Sequence, residues 1–366
     1  MRILVITKRQ YMSKDLLDNR FGRLREIPLS LSKMGHQVTG LCLSYKHRSE
    51  GWILDETVPW KSINATTLKF PGLIRFILAA RKLARNSDII WACSDSIYGV
   101  IGCYLSKLYN VPVIFDIYEN FGEFFVAKLP VMRQLYHWAI RESNAVTCLS
   151  NPFAKYVLEN FNGQTKAFPI EFAVRHDLFK PLDKLKCRQS LGLPLNVRLA
   201  GTIGSIKKRR EVNLLFDAFN QLKLKYPDLH LVFAGQRDNS IQIPQGSRIH
   251  DLGNLPFEKV PTLINAMDVG VVCYADDDYG KYCFPQKTRE FTACCTPVIA
   301  SAVGALKEMF IDHPDWLYEP GCSSSLANVL EKRLSDQTTD YPPPPSWTDL
   351  AKKLENIMLD ILCENH

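Results

Sequence analysis

Short runs of β-branched and aliphatic residues alternate with amphipathic segments along the whole chain. This alternation constrains the fold more than any other feature. Runs at 2–7, 37–44, 88–93, 112–116, 144–149 and 165–170 read as strands, and a second series follows at 197–204, 229–235, 248–252, 268–274, 297–301 and 316–318. Between them lie segments of helical period at 23–35, 70–86, 97–109, 132–142, 212–226, 258–267 and 322–333. Strands alternating with helices of this length build parallel sheets covered on both faces. The pattern restarts near 197, after a stretch at 176–195, rich in Leu, Lys and Pro, that reads as a loop. The spacing predicts an α/β chain of two Rossmann-like, doubly wound parallel-sheet domains, 1–175 and 176–345. Ligands are expected at the carboxyl ends of the strands, in a cleft between the domains. Pro342 to Pro345 form a stiff tether before a last helix, opened by Ser346 as N-cap. A helix on such a tether, within 346–366, is expected to pack back on the N-terminal domain.

Length supports two cores, because 366 residues with 46% hydrophobic content exceed one typical domain. No apolar run is long enough to cross a bilayer. The opening residues, Met1 to Lys8, have the look of a buried strand rather than a secretory leader. A cytoplasmic protein is therefore expected. The eleven cysteines are odd in number and contain no Cys-x-x-Cys. Cys42, Cys93, Cys103, Cys148 and Cys273 sit in apolar runs and read as reduced core residues, with no zinc spacing. Charge is unevenly placed: residues 1–170 carry 22 Lys+Arg against 13 Asp+Glu, whereas residues 171–366 carry 23 against 25. A basic first half suits an anionic membrane surface or an anionic acceptor. Nucleic acid is disfavoured, because no binding motif or aromatic-interleaved basic run is present. The segment 70–86 carries an apolar stripe of Leu73, Ile74, Ile77 and Leu78 beside Arg75, Lys82 and Arg85. Such a helix can lie on an anionic membrane or bury its stripe against a sheet.

Several motifs carry chemistry. The loop after the first strand lacks Gly-x-Gly-x-x-Gly, which argues against a nicotinamide dehydrogenase. Asp116 and Glu119 follow an apolar strand and could orient sugar hydroxyls or act as a base; capping the next helix is the alternative. Ser94-Asp95 ends another apolar strand and is a further candidate. Gly204 ends a strand and is followed by Ser205 and the cations Lys207, Lys208, Arg209 and Arg210. Backbone N–H groups at such a glycine and the cations after it suit a diphosphate, though a solvated charge run would look the same. In Phe284-Pro285-Gln286-Lys287-Thr-Arg-Glu290, Lys287 and Glu290 share one face of a short helix. They could hold a phosphate and a sugar diol together, or form a surface salt bridge. The Asp276-Asp277-Asp278 triplet suggests a divalent-ion site, but it sits in the second domain of a two-domain pattern.

Taken together these pieces resemble family 4-type glycosyltransferases of the GT-B fold. The resemblance rests on Gly204 and Arg210, on Gly235, on Leu252-Gly253-Asn254-Leu255 with Val260-Pro261, and on Ala266-Met267-Asp268. It is most specific in Pro285-x-Lys287-x-x-Glu290-Phe291 running to Pro297-Val298-Ile299-Ala300-Ser301, with Gly304 and Glu308 beyond. It implies transfer of a sugar from a nucleotide diphosphate sugar to a hydroxyl acceptor, retaining and metal-independent, with no cofactor besides the donor. The implied acceptor is a saccharide or lipid-linked saccharide, in polysaccharide assembly at the inner membrane face. The implied donor contacts are Gly204, Ser205, Lys208, Arg209, Arg210, Gly235, Asn254, Leu255, Val260, Phe284, Pro285, Gln286, Lys287 and Glu290. Glu290 would hold the ribose hydroxyls, Lys287 and Arg210 would neutralise the diphosphate, and Asp116 and Glu119 would serve the acceptor side. A second glutamate that relatives carry seven residues before Glu290 is Tyr282 here. A sugar-nucleotide epimerase or a non-catalytic nucleotide-sugar scaffold would share the same architecture.

Overall fold

The computed structural model describes residues 1–12, 14–65, 70–120, 129–161, 165–238 and 241–364, without the side chains of Phe70 and Arg209. Two compact units appear: Met1–Glu171 with Trp347–His366, and Phe172–Ser346. Both are α/β units built on largely parallel sheets.

The first unit runs β1 (Arg2–Lys8), a small β2–β3 hairpin (Gln10–Tyr11, Lys14–Asp15), α1 (Arg23–Lys33), β4 (Gln37–Ser44), β5 (Gly51–Asp55), β6 (Val58–Asn64) and α2 (Phe70–Ala84). It continues with β7 (Ile89–Cys93), α3 (Ser96–Tyr109), β8 (Val113–Ile117), α4 (Pro130–Glu142), β9 (Ala145–Cys148), α5 (Asn151–Asn160) and β10 (Ala167–Pro169). The sheet order is β10-β9-β8-β7-β1-β4-β6-β5, parallel except for β5. Strand order reverses at β1, so the carboxyl ends of β1 and β7 flank the switch point where ligands of such sheets bind. The central strands β7 and β8 are buried at every residue, as continuous apolar runs between two helical layers must be.

The second unit runs α6 (Lys184–Ser190), β11 (Arg198–Ile203), a short 3₁₀ turn (Lys208–Arg210), α7 (Val212–Leu222), β12 (Leu229–Ala234), β13 (Ile249–Asp251), α8 (Val260–Ala266) and β14 (Val269–Val272). Then come α9 (Asp278–Tyr282), α10 (Gln286–Ala293), β15 (Val298–Ser301), α11 (Gly304–Met309), β16 (Leu317–Tyr318) and α12 (Ser323–Ser335). Its all-parallel sheet has the order β13-β12-β11-β14-β15-β16, with the reversal between β11 and β14. The last helix, α13 (Trp347–Glu364), belongs to the first unit; Glu355 meets the His36 ring at 2.6 Å, just past α1.

Three local expectations need correction. The stretch 176–195 is not all loop: Asp183 caps α6 by accepting from Lys186 N at 2.8 Å. The hairpin β5–β6 is an addition, turning at Glu56 with φ 52°. The apolar stripe expected on α2 is not its buried face, since Phe76, Ala79 and Ala80 pack inward while Ile74 and Leu78 are 54% and 57% exposed.

Candidate functional site

In the second unit, three strand ends converge through glycine. Gly204, past β11, has φ 91° and Gly235, past β12, has φ 148°. A Cβ on Gly235 would lie 1.7 Å from the Gly204 carbonyl oxygen, so no other residue fits that approach. Gly235 N donates to Gly253 O at 2.7 Å, which brings the loop of Asn254 and Leu255 alongside. Asn254 is exposed, whereas Leu255 and Val260 pack against the core that contains Phe291 of α10.

Helix α10 opens at this crevice. Pro285 is its N-cap, and Pro297 stands one residue before β15. Phe284 is buried and carries the Arg289 guanidinium 5.0 Å above its ring, anchoring the entry to the helix. Lys287 and Glu290 are 9% and 7% exposed, which rules out the surface salt bridge. Lys287 Nζ donates to Thr202 Oγ1 and to Ile203 O, both at 3.2 Å, and not to Glu290. Burial first, and the nearby Arg210 second, push the Lys287 ammonium down to about 8. Glu290 Oε1 accepts from Gln286 Nε2 at 3.0 Å, one turn earlier on the same helix. The site thus holds an incompletely compensated cation at a strand end and a buried carboxylate one turn away. That combination suits a phosphate beside a diol.

Arg210 follows Gly204 by one irregular turn. Its Nη2 donates to the Tyr279 hydroxyl at 2.9 Å, and Glu211 behind it takes the left-handed conformation at φ 48°. A non-glycine residue held there is strained, as functional loops often are. Lys207 and Lys208 are exposed and Ser205 is half-buried. The Arg209 side chain lies outside the described residues. Two residues of the acidic triplet have local tasks: Asp277 caps α9 by accepting from Gly280 N at 2.8 Å, and exposed Asp276 reaches Lys281 at 3.8 Å. Among the described residues, no three His, Cys, Asp or Glu side chains form a metal cluster.

In the first unit, Asp116 is fully buried. Strand alternation turns Phe115 toward Gly99 of α3 and Tyr136 of α4, so Asp116 points to the opposite face. There it accepts from Arg23 Nη2 at 2.7 Å and from Thr147 Oγ1 at 2.6 Å, and neither member of the ion pair is exposed. Burial raises its carboxyl above the usual range, against the pull of Arg23. Asp116 thus sits in a buried ion pair through Oδ1, while its Oδ2 has no hydrogen-bond partner among the described residues. Glu119 lies half-buried past the end of β8.

The switch point itself holds residues that the sequence reading passed over or ranked low. Lys8 ends β1, and its ammonium lies 5.7 Å from the Tyr118 ring. Tyr118 shares a hydrogen bond with Ser94 Oγ at 2.9 Å, and Ser94 sits at φ 103°. Asp95, next in the chain, has a buried Oδ1 without a hydrogen-bond partner among the described residues, and burial raises its carboxyl while Lys8 lowers it. Topology alone could have signalled Lys8 and Asp95, because strand order decides which strand ends flank the switch point.

Comparison with known proteins bears on the fold. Residues 198–336, which hold all six strands of the second unit's sheet, match the family described as Glycosyl transferases group 1. The chain is 25% identical over 212 residues to a D-inositol 3-phosphate glycosyltransferase of Corynebacterium aurimucosum, covering 51% of this chain and 49% of that protein. It thus spans about half the length of that curated relative. Among solved structures, sucrose-phosphate synthase from Thermosynechococcus elongatus superposes with a TM-score of 0.75 at 18% identity, covering 99% and 97% of the two chains. The Anabaena protein HepE in complex with UDP superposes with a TM-score of 0.70 at 17% identity, covering 100% and 97%. The fold is of the GT-B type, two Rossmann-like units in tandem.

Proposed function

We propose that this protein is a glycosyltransferase that moves a sugar from a nucleotide diphosphate sugar to a hydroxyl acceptor. The observation that carries the reading is buried Lys287. It is an ammonium set against neutral oxygens and a neighbouring guanidinium at a glycine-ended strand, on the same helix as buried Glu290. Lys287 and Arg210 neutralise the charge that develops on the departing diphosphate, with Lys208 beside them, and Glu290 accepts from the ribose hydroxyls. Gly204, Ser205 and Gly235 let the phosphates approach the backbone, and Asn254, Leu255, Val260 and the turn Phe284-Pro285-Gln286 frame the nucleoside. Stabilising developing charge in this way contributes about 2.7–4 kcal/mol per contact. The reaction retains anomeric configuration and needs no metal. On the acceptor side, Glu119 is joined by Asp95 and Lys8, and Asp116 is set aside.

A thermal-shift screen of UDP-, GDP-, ADP- and CMP-sugars tests the donor site. A true donor at 100 times its dissociation constant stabilises by about 2.7 kcal/mol, and Glu290→Ala abolishes the shift. A shift that survives in Glu290→Ala removes Glu290 from the site. Product NMR reads the anomeric configuration. Turnover unchanged by EDTA supports metal independence, whereas turnover lost and then restored by manganese returns Asp276 to Asp278 to consideration.

The acceptor is proposed to be a saccharide or lipid-linked saccharide at the inner face of an anionic membrane. No helix among the described residues is long and apolar enough to cross a bilayer. Helices α2 and α3, however, contain no carboxylate between them. Ile74 and Leu78 of α2 are exposed, as are Tyr104 and Leu108 of α3, each at 43%. Arg85 lies 5.3 Å from the ring of Tyr109, tying the two helices into one surface. Arg81 and Arg85 reach Tyr109 beside these side chains, while Arg75 and Lys107 pair with Glu50 and Glu142, and the remaining surplus of cations suits a monolayer of anionic headgroups. Sedimentation with phosphatidylglycerol vesicles, and not with phosphatidylcholine vesicles, supports this contact; equal binding by a double Ile74→Ser, Leu78→Ser variant rules it out.

A further inference from the structure

Arg210 is held in place before any ligand arrives. Its guanidinium lies 4.5 Å from the ring centroid of Tyr274 and 5.5 Å from that of Tyr279. The two rings are 6.0 Å apart and within 17° of parallel, so they form a single aromatic bed. Tyr274 is 2% exposed, and its backbone N–H donates to Ser301 Oγ at 3.1 Å across neighbouring strand ends. Tyr279 stands on α9, which is pressed close on two sides. A Cβ on Gly280 would meet Ala275 O at 2.0 Å, and one on Gly304 would meet Lys281 O at 2.1 Å. The bed is therefore closely packed, and it holds the arginine in place.

Such a bed answers a specific electrostatic problem. Arg210 and Lys287 are like charges near one another, and Arg210 is one of the causes that depress the lysine. An arginine on a loop would otherwise turn to water, away from the second cation. Aromatic faces attract a guanidinium, and the phenolic oxygen accepts one of its N–H groups. The remaining donors stay available at the planar edge, where they can meet phosphate oxygens in pairs.

We propose that Tyr279, backed by Tyr274, is a positioning residue that holds Arg210 beside Lys287 so that both cations meet one diphosphate. This rests on the donor reading above and extends it to residues that reading does not use. It also accounts for an arginine at 210, because a lysine ammonium has no planar edge to offer once it lies over a ring.

A double-mutant cycle tests the assignment, with calorimetry on UDP, GDP or ADP, whichever binds the wild type most tightly. In the Arg210 background, Tyr279→Ala is expected to weaken the nucleotide about tenfold and Tyr279→Phe about threefold. In an Arg210→Met background, Tyr279→Ala is expected to change affinity by less than about twofold, because the coupling is gone. Equal losses in both backgrounds overturn the proposal while leaving the donor site intact. Wild-type protein that binds none of the three nucleotides overturns the donor reading itself. Tyr279→Phe keeps the ring, so it decides the hydroxyl's part even if Tyr279→Ala fails to fold; no loss in Tyr279→Phe removes the hydroxyl from the assignment.

Discussion

Asp116 and Lys287 are both buried charges near the carboxyl end of a parallel strand, and their surroundings are opposite. Asp116 faces an arginine of opposite charge at 2.7 Å and a threonine hydroxyl at 2.6 Å, with no solvent exposure on either ion. Lys287 faces two neutral oxygens at 3.2 Å, and the largest charge effect on it comes from a like charge, Arg210. Glu290 acts on it in the opposite sense, more weakly. A buried ion closed by its counterion belongs to the structure. On the proposed donor reading, a buried ion kept beside its like is held for something that arrives with the missing charge. Burial alone therefore does not mark a site; the sign of the nearest partner does.

The largest expected effect breaks the Asp116 side of this comparison. Asp116→Ala leaves Arg23 buried without its counterion and should destabilise the first unit by about 3–5 kcal/mol. Urea denaturation reads this directly, and a loss below about 1 kcal/mol would return Asp116 to the acceptor candidates.

Lys287→Met tests the other side. Transfer should fall by about 10²–10³-fold, whereas the ligand-free melting midpoint should hold or rise, because an incompletely compensated charge has been removed. A midpoint that falls as steeply as in Asp116→Ala would make the two charges alike.

A pH series sharpens the same contrast. The folded-state value of Lys287, about 8, lies below its ordinary 10.5, so the fold disfavours the charged form. Between those two values the unfolded chain binds more protons than the folded one. Ligand-free stability should therefore rise as pH climbs from about 8 to about 10.5, by up to about 3 kcal/mol at ~1.4 kcal/mol per unit. UDP affinity should move the other way, falling as pH rises through 8. Arg210, Cys273, Glu290 and Cys283 all act on this lysine. Subtracting the same series on Lys287→Met isolates it from other titrating groups, and parallel curves for the two proteins would contradict the assigned shift.

The smallest expected effect concerns the backbone. Gly204 has φ 91° with open space where a Cβ would stand. Gly204→Ala should cost only about 1–2 kcal/mol of backbone strain, visible in thermal melts. Gly235→Ala should cost clearly more, since its Cβ would strike the Gly204 carbonyl.

Every long strand of the two sheets except the β5–β6 hairpin was legible, because a buried parallel strand must be a continuous apolar run and few other segments here are. The hairpin was not legible: Trp52 and Leu54 point to solvent, at 57% and 69% exposure, which spoils the apolar alternation. Helix α6 was hidden in a lysine-rich stretch whose one signal was Asp183 as a cap. At the candidate site, Phe284 to Ser301 was readable because its chemistry is local: one helix carries both Lys287 and Glu290. The buried ion pair of Asp116 was not legible, although alternation with Phe115 already assigned it to one face. What covers that face is Arg23, 93 residues away.

By itself, then, the sequence determined the α/β class, the restart of the pattern near 197 and the short-range pairing on α10, because hydrophobic period and helix spacing are local properties of a chain. Only the tertiary structure decided which charges are closed and which are left open. Arg23 meets Asp116, and Tyr279 meets Arg210, across 93 and 69 residues. Coulomb energy and desolvation depend on distance and burial in space, and neither quantity is written in the order of the residues.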